Sequence, residues 1–343
     1  MKTAEYIPKM ICLRLFASTA VVALVAGCAS QPPAVPQPAA EPGMLVVGGG
    51  SFTMGRDKGE INERPSHKVN LGTFAMDRTE VAASDFAEFL NAVGNAGNVY
   101  FTPDENATVV IVPTADGKKE SRFTARTGYE RFPANNVSWQ GAAAYCRWRG
   151  KRLPSEAEWE KAARGTDERL FPWGKSNPAE KFAQFEQLWP EKQFNVLVPV
   201  DALPAGASPY GMLNMAGNVL EWVNDWYRQN LCDFCNPGGE TNLGLILELT
   251  GQAGDRSDAV RSRSEETEEI SETSHEDAER QRQAPPRNNP KGPSFGIFKV
   301  LRGGSWQDIQ AGDLATTRRF WLDPSQRFPN TGFRCAQESS RTP

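Results

Sequence analysis

Long periodic apolar segments are scarce in this chain, and that scarcity limits its fold more than any other feature. The clearest helix signals are short. Ser138 can cap a segment carrying Ala142, Ala143, Tyr145, Cys146 and Trp148, with Gly150 placed to end it. Soon after, Ser155 and Glu158 have the spacing of a capping box ahead of Trp159 and Ala162. Ser84 is an N-cap candidate for a third short helix, in which Phe86, Phe89 and Leu90 recur at helical spacing. Strand signals are equally brief: Val46 to Met54 reads as two strands about Gly48-Gly49-Gly50, and Thr108 to Val112 is β-branched throughout. Ala115-Asp116-Gly117 then signals a hairpin whose return strand runs through Phe123. Further on, Trp, Gly, Pro and Asn interrupt the pattern repeatedly, and Phe295 to Arg302 resumes a strand-like run.

Composition narrows the function classes. An apolar share of 39% over 343 residues supports a globular core. Lys and Arg number 38 against 42 Asp and Glu, a net charge of −4, so there is no basic excess to neutralise phosphates and no nucleic-acid partner is expected. His67 and His275 are the only histidines, which excludes a three-histidine metal site within one chain. The Gly48-Gly49-Gly50 run lacks the Lys-Ser/Thr of a phosphate loop and the spacing of a dinucleotide fingerprint, and reads as a turn.

Lys2, Lys9 and Arg14 precede an apolar run from Leu15 to Ala26, the layout of a signal peptide. The run is shorter than the ~20 apolar residues that a membrane span requires. It ends in Val25-Ala26-Gly27-Cys28, which resembles the lipobox of bacterial lipoproteins and implies cleavage before Cys28 and lipidation of that residue. We therefore expect a signal peptide over 1–27, a Pro/Ala-rich tether over 28–43 and a domain over 44–343, exported and membrane-anchored on the periplasmic or cell-surface side. In that oxidising setting Cys146, Cys232, Cys235 and Cys335 are an even set that permits two bridges. Asp255 to Arg282 is dominated by Asp, Glu, Arg and Ser without aromatics, so 251–291 is expected to be a charged, disordered insertion in the domain.

Several blocks follow one another in a fixed order. They include Gly50-Ser51-Phe52-Thr53-Met54-Gly55, Met76-Asp77-Arg78-Thr79-Glu80-Val81 and Gly150-Lys151-Arg152-Leu153-Pro154-Ser155-Glu156. Asn214-Met215-Ala216-Gly217-Asn218-Val219-Leu220-Glu221-Trp222, Leu301-Arg302-Gly303-Gly304-Ser305-Trp306 and Gly332-Phe333-Arg334-Cys335 continue the series. Together they resemble the formylglycine-generating enzyme, or sulfatase-modifying factor, family. The resemblance implies a compact, loop-rich α+β fold related to C-type lectins, with short helices and twisted antiparallel strands.

Residue by residue, the resemblance carries over unevenly. It implies a calcium ion on the side chains of Asn214 and Glu221 and the carbonyls of Gly217 and Val219, all oxygen donors suited to a hard cation. The residues alone leave another reading open, in which Asn214 and Asn218 hold turns and Glu221 pairs with an arginine. The resemblance also implies a disulfide between Cys146 and Cys335. In the family's oxidases, two cysteines after the Gly-Gly-Ser element hold copper as thiolates and activate oxygen. Asp308 and Asp313 stand at those places here, and Leu220 replaces an oxidase tryptophan. Carboxylate oxygen is a poor Cu(I) ligand, so copper is not expected. Ser305 and Asn330 match family active-site positions, leaving a degenerate pocket without its metal chemistry.

Cys232-Asp233-Phe234-Cys235 stays open between a local disulfide, a metal site and a displaced catalytic pair. Whether the chain is an enzyme is thus undecided from sequence. The favoured expectation is a non-oxidase binding, accessory or envelope module that recognises a protein, peptide or glycan. The alternative is a formylglycine-generating oxidase that uses Cys232 and Cys235.

Overall fold

Burial alternates along the short strands with the period of two expected of one-sided sheets. In β3 (His67–Leu71), His67, Val69 and Leu71 face inward while Lys68 is exposed. The computed structural model describes residues 43–113, 121–188, 193–229 and 287–338. The Cys28 anchor, the tether up to Pro42, the Ala115-Asp116-Gly117 turn, Cys232, Cys235 and residues 251–286 of the insertion lie outside the described residues.

Four small sheets carry the described strands. β1 (Met44–Val47), β4 (Phe74–Asp77) and β12 (Ala336–Glu338) form one, so both ends of the described chain close on β4. β2 (Gly50–Met54), β3 and β8 (Arg287–Asn288) form a second. β1 and β2 flank Gly48 and Gly49 as expected, yet they pair in different sheets, so the segment is a crossover and not a hairpin. β5 (Val109–Pro113) and β6 (Ser121–Ala125) form the expected antiparallel pair. The fourth sheet has the order β10 (Arg319–Leu322), β9 (Lys299–Arg302), β7 (Leu220–Trp226) and β11 (Thr331–Gly332). Most pairs are antiparallel as expected, and β3–β8 and β7–β11 are parallel, so the sheets are mixed. β8 also corrects the far boundary of the insertion. Arg287 and Asn288 already pair with Val69 and Asn70, and the Asn70 amide donates to Asn288 Oδ1 at 3.0 Å.

Three short α-helices pack on these sheets. α2 (Trp139–Trp148) is capped by Ser138, whose hydroxyl accepts from the Gly141 N–H, and α3 (Glu156–Arg164) carries the full Ser155–Glu158 capping box. α1 (Ala83–Val93) departs from expectation: Ser84 lies inside it, and Ala82 occupies the cap position with no side-chain bond. A distant loop does the capping. The N–H groups of Ala83 and Ser84 donate to the carbonyls of Phe132 and Glu130 at 2.8 and 3.1 Å.

The core is aromatic. Phe86 lies within 6.0 Å, centroid to centroid, of Phe89, Phe101, Tyr145 and Phe333, so α1, α2 and the C-terminal segment meet at one ring cluster. Beside it, Cys146 and Cys335 are joined as a disulfide with Cα atoms 5.6 Å apart across 189 residues. A loop of that length contributes about 4–5 kcal/mol in the chain-entropy view. A second cluster packs Trp159, Ala162 and Ala163 of α3 against Phe52, Val69, Met76 and Val300. No helix among the described residues is long and apolar enough to cross a membrane.

Candidate functional site

Two loops carry most of the residues singled out in the sequence, and they are bonded to each other. The Gly217 N–H donates to the Gly303 carbonyl at 2.9 Å, and the Trp306 N–H to the Asn218 carbonyl at 3.0 Å. The first loop turns sharply because Asn214, Gly217 and Asn218 have φ of 53, 78 and 61°, the left-handed region that Gly and Asn tolerate best. Gly217 has a second reason to be glycine: a Cβ there would sit 2.4 Å from the Gln184 carbonyl oxygen.

Buried charge gathers under this loop. Glu221 accepts from Arg334 through both oxygens, Nη2 to Oε1 at 2.6 Å and Nε to Oε2 at 2.7 Å, and Trp159 Nε1 donates to Oε2 at 2.8 Å. Pairing of Glu221 with an arginine, one of the two readings left open, is therefore present. The Asn214 and Asn218 amides both donate to Glu80, at 3.0 and 2.8 Å. Burial pushes the Glu80 carboxyl up to about 7, opposed by Arg334 and reinforced by Glu221. Neither Glu80 nor Arg334 was assigned a role from the sequence. Glu80 closes the polar Asp77-Arg78-Thr79 stretch ahead of the apolar Val81-Ala82-Ala83, so nothing local signalled its burial.

The pairing of Glu221 leaves some acceptor capacity unused. Asn214 Oδ1 is buried without a hydrogen-bond partner, and Glu221 Oε1 accepts a single bond where a carboxylate oxygen can accept two. Glu80 and Glu221 share one guanidinium, and the raised Glu80 carboxyl relieves the crowding by taking up a proton. The residues thus fit a hard cation held by Asn214 Oδ1, Glu221 Oε1 and the carbonyls of Gly217 and Val219. Among the described residues no group of three His, Cys, Asp or Glu side chains can hold a metal, so amide and carbonyl oxygens would have to supply most of the shell.

The second loop follows β9. Gly303 and Gly304, at φ of 96 and 69°, bend it back so that the Ser305 N–H and hydroxyl both donate to Asp308 Oδ2, at 2.7 and 2.9 Å. Asn330 reaches the Ser305 hydroxyl at 3.4 Å. Asp313 is drawn the other way, into an ion pair with Arg318 at 3.1 Å. Burial pushes both carboxyls up, Ser305 opposing it at Asp308 and Arg318 at Asp313. Ser305, Asp308 and Asn330 therefore meet, while Asp313 is tied to Arg318. Among the described residues Cys146 and Cys335 are the only cysteines, and their disulfide holds both sulfurs. What the second loop offers is hydrogen bonding and charge, with no thiol.

The sulfatase-modifying factor enzyme 1-like family model matches residues 30–339. The chain belongs to that family. It is 33% identical to the formylglycine-generating enzyme of Mus musculus over 250 residues, covering 60% of this chain and 65% of that protein. It is 31% identical to the inactive C-alpha-formylglycine-generating enzyme 2 of Mus musculus, covering 88% of each. Serine/threonine-protein kinase pkn1 of Chlamydia pneumoniae is 28% identical over 295 residues, and this chain spans only 38% of its length. Among solved structures, PvdO from Pseudomonas aeruginosa shares the fold with a TM-score of 0.54 at 23% identity, covering 91% of this chain and all of that one. Family membership and the loop-rich α+β fold thus stand together.

Proposed function

We propose that this chain is a lipid-anchored, calcium-stabilised member of its family that binds a protein, peptide or glycan without oxidising cysteine. One observation carries the reading: Asp308 and Asp313 occupy the places of the paired thiols, and their carboxylates are engaged by Ser305 and Arg318. Carboxylate oxygen cannot substitute for sulfur toward Cu(I), nor can it undergo thiol redox chemistry. The kinship with a protein described as an inactive formylglycine-generating enzyme supports the same direction. Calcium at Asn214, Gly217, Val219 and Glu221 is supported by the orphaned Asn214 oxygen, and its role is to lock the first loop. Export and anchoring at Cys28 are supported by the leader and the Val25-Ala26-Gly27-Cys28 sequence.

The test is incubation of the whole chain with copper, oxygen and a cysteine-containing sulfatase-type peptide, followed by mass spectrometry. An unchanged thiol mass is expected. Conversion of the thiol to an aldehyde, abolished by Cys232→Ser with Cys235→Ser, would establish the oxidase alternative.

A further inference from the structure

Beside the C-terminal end of α3, a cavity of about 160 Å³ is lined among others by Arg56, Asp57, Ser66, Arg164, Glu168 and Leu170. Arg164 is its most telling residue. It is only 3% exposed, yet among the described residues all its hydrogen bonds run from Nη1, to the Thr53 carbonyl at 3.0 Å, the Gly55 carbonyl at 2.8 Å and Glu160 Oε1 at 3.0 Å. Nε is buried without a partner. The Nε–Nη2 edge, the fork that meets a carboxylate through two parallel bonds, is therefore unengaged in a residue that lines the cavity. A buried donor left unmade costs free energy that a bound acceptor would recover.

Negative charge lines the same space. Glu168 Oε1 accepts from the Thr53 hydroxyl at 2.6 Å, and that hydroxyl accepts from Lys68 Nζ at 2.7 Å, so the carboxylate is fixed while its Oε2 accepts nothing among the described residues. Asp57 Oδ1 accepts from the Ser66 N–H and hydroxyl, both at 3.0 Å. Arg56 is held as well, its Nε donating to Glu63 Oε2 at 2.6 Å. A simple anion entering here would meet Asp57 and Glu168, and a simple cation would meet Arg56 and Arg164. A zwitterion satisfies both signs. Size narrows the choice further, because a cavity of about 150 Å³ takes up benzene, a molecule of roughly six non-hydrogen atoms, which is also the size of alanine. Leu170 offers an apolar surface for a methyl group.

We propose that this cavity binds a small free α-amino acid of the size of glycine or alanine, its carboxylate on the Nε–Nη2 edge of Arg164 and its ammonium group on Glu168. No residue of the site belongs to the loops at 214–221 and 303–308, so the proposal stands or falls apart from the non-oxidase reading.

Calorimetric titration of the whole chain with L-alanine tests it, alongside acetate, methylammonium and L-phenylalanine. Alanine should bind, acetate and methylammonium should each bind about tenfold more weakly or worse, and phenylalanine should be excluded by its size. Glu168→Gln keeps an oxygen for the Thr53 hydroxyl and removes only the charge. It should weaken alanine about tenfold, the loss expected for one charge-assisted hydrogen bond, and leave the melting temperature essentially where it was. Arg164→Lys removes the fork and should abolish binding; where that variant fails to fold, Glu168→Gln decides alone. No binding of alanine would leave the cavity to water and overturn the proposal. So would acetate or methylammonium binding as tightly as alanine, phenylalanine binding as tightly, or wild-type affinity in Glu168→Gln.

Discussion

The loop at 214–221 and the loop at 303–308 touch, share backbone hydrogen bonds and descend from the same family pattern, yet they have fared differently. The first keeps two side-chain oxygen donors, an orphaned Asn214 oxygen and Glu221, with a buried arginine bracing the latter. The second keeps its two glycines and its serine but presents carboxylates where the family's oxidases have thiols, and each is tied to a neighbour. The backbone requirement and the chemical requirement are thus separable. Turn geometry survives because the core depends on it, whereas the side chains at 308 and 313 can change without disturbing the scaffold.

The largest effect should come from the first loop. Arg334→Met removes the partner of a fully buried carboxylate and leaves Glu80 and Glu221 facing each other. Breaking such a pair costs about 3–5 kcal/mol, which urea denaturation would register or which would prevent folding. A loss below about 1 kcal/mol would mean that the cluster is not the brace it is taken to be. Removing the disulfide through Cys335→Ser should cost about 2–5 kcal/mol, and free thiols at Cys146 and Cys335 in the non-reduced intact protein would contradict the bridge.

Calcium should act on the first loop alone. Excess calcium at about a hundred times its dissociation constant would stabilise the fold by ~2.7 kcal/mol, and EDTA should lower the melting temperature correspondingly. Identical melting in both would remove the ion from the picture.

Protonation should have a smaller, graded effect. Burial raises the carboxyls of Glu80 and Asp225 to about 7, from ordinary values of 4.5 and 3.8. The folded state then holds protons that the unfolded state releases, so stability from these groups is greatest below the ordinary values and declines as pH rises toward 7. Lys299 works in the opposite sense. Burial lowers it to about 8, between the Trp139 and Trp226 rings at 4.1 and 3.8 Å, so its contribution improves from pH 8 toward 10.5. Asp225→Asn should flatten the decline between pH 4 and 7. An unchanged slope would contradict the assignment. The mildest change belongs to the second loop. Arg318 is partly exposed, so Asp313→Ala should shift stability by no more than about 1 kcal/mol.

What was legible in the sequence was local. Ser138 and the Ser155–Glu158 box act within three residues of themselves, so spacing alone revealed them. The Cys146–Cys335 bridge was legible only through family resemblance, since spacing cannot choose a partner 189 residues away. The cap of α1 was misread because its acceptors are carbonyls of residues 130 and 132, which no nearby side chain announces. The Glu80 cluster and the cavity between the end of β7 and β8 were hidden for a related reason. Each assembles from several segments distant in the chain, and β8, which contributes Arg287, lies within the stretch read as a charged insertion.

That no sulfur stands beside Ser305 among the described residues is tested for the whole chain most directly by titrating Cu(I) into it against a competing chelator, in parallel with Asp308→Cys combined with Asp313→Cys. The natural chain should leave the metal with the chelator, and the doubly substituted chain should withdraw one equivalent. A stoichiometric Cu(I) complex in the natural chain, lost on Cys232→Ser with Cys235→Ser, would mean that displaced thiols have taken the vacant role.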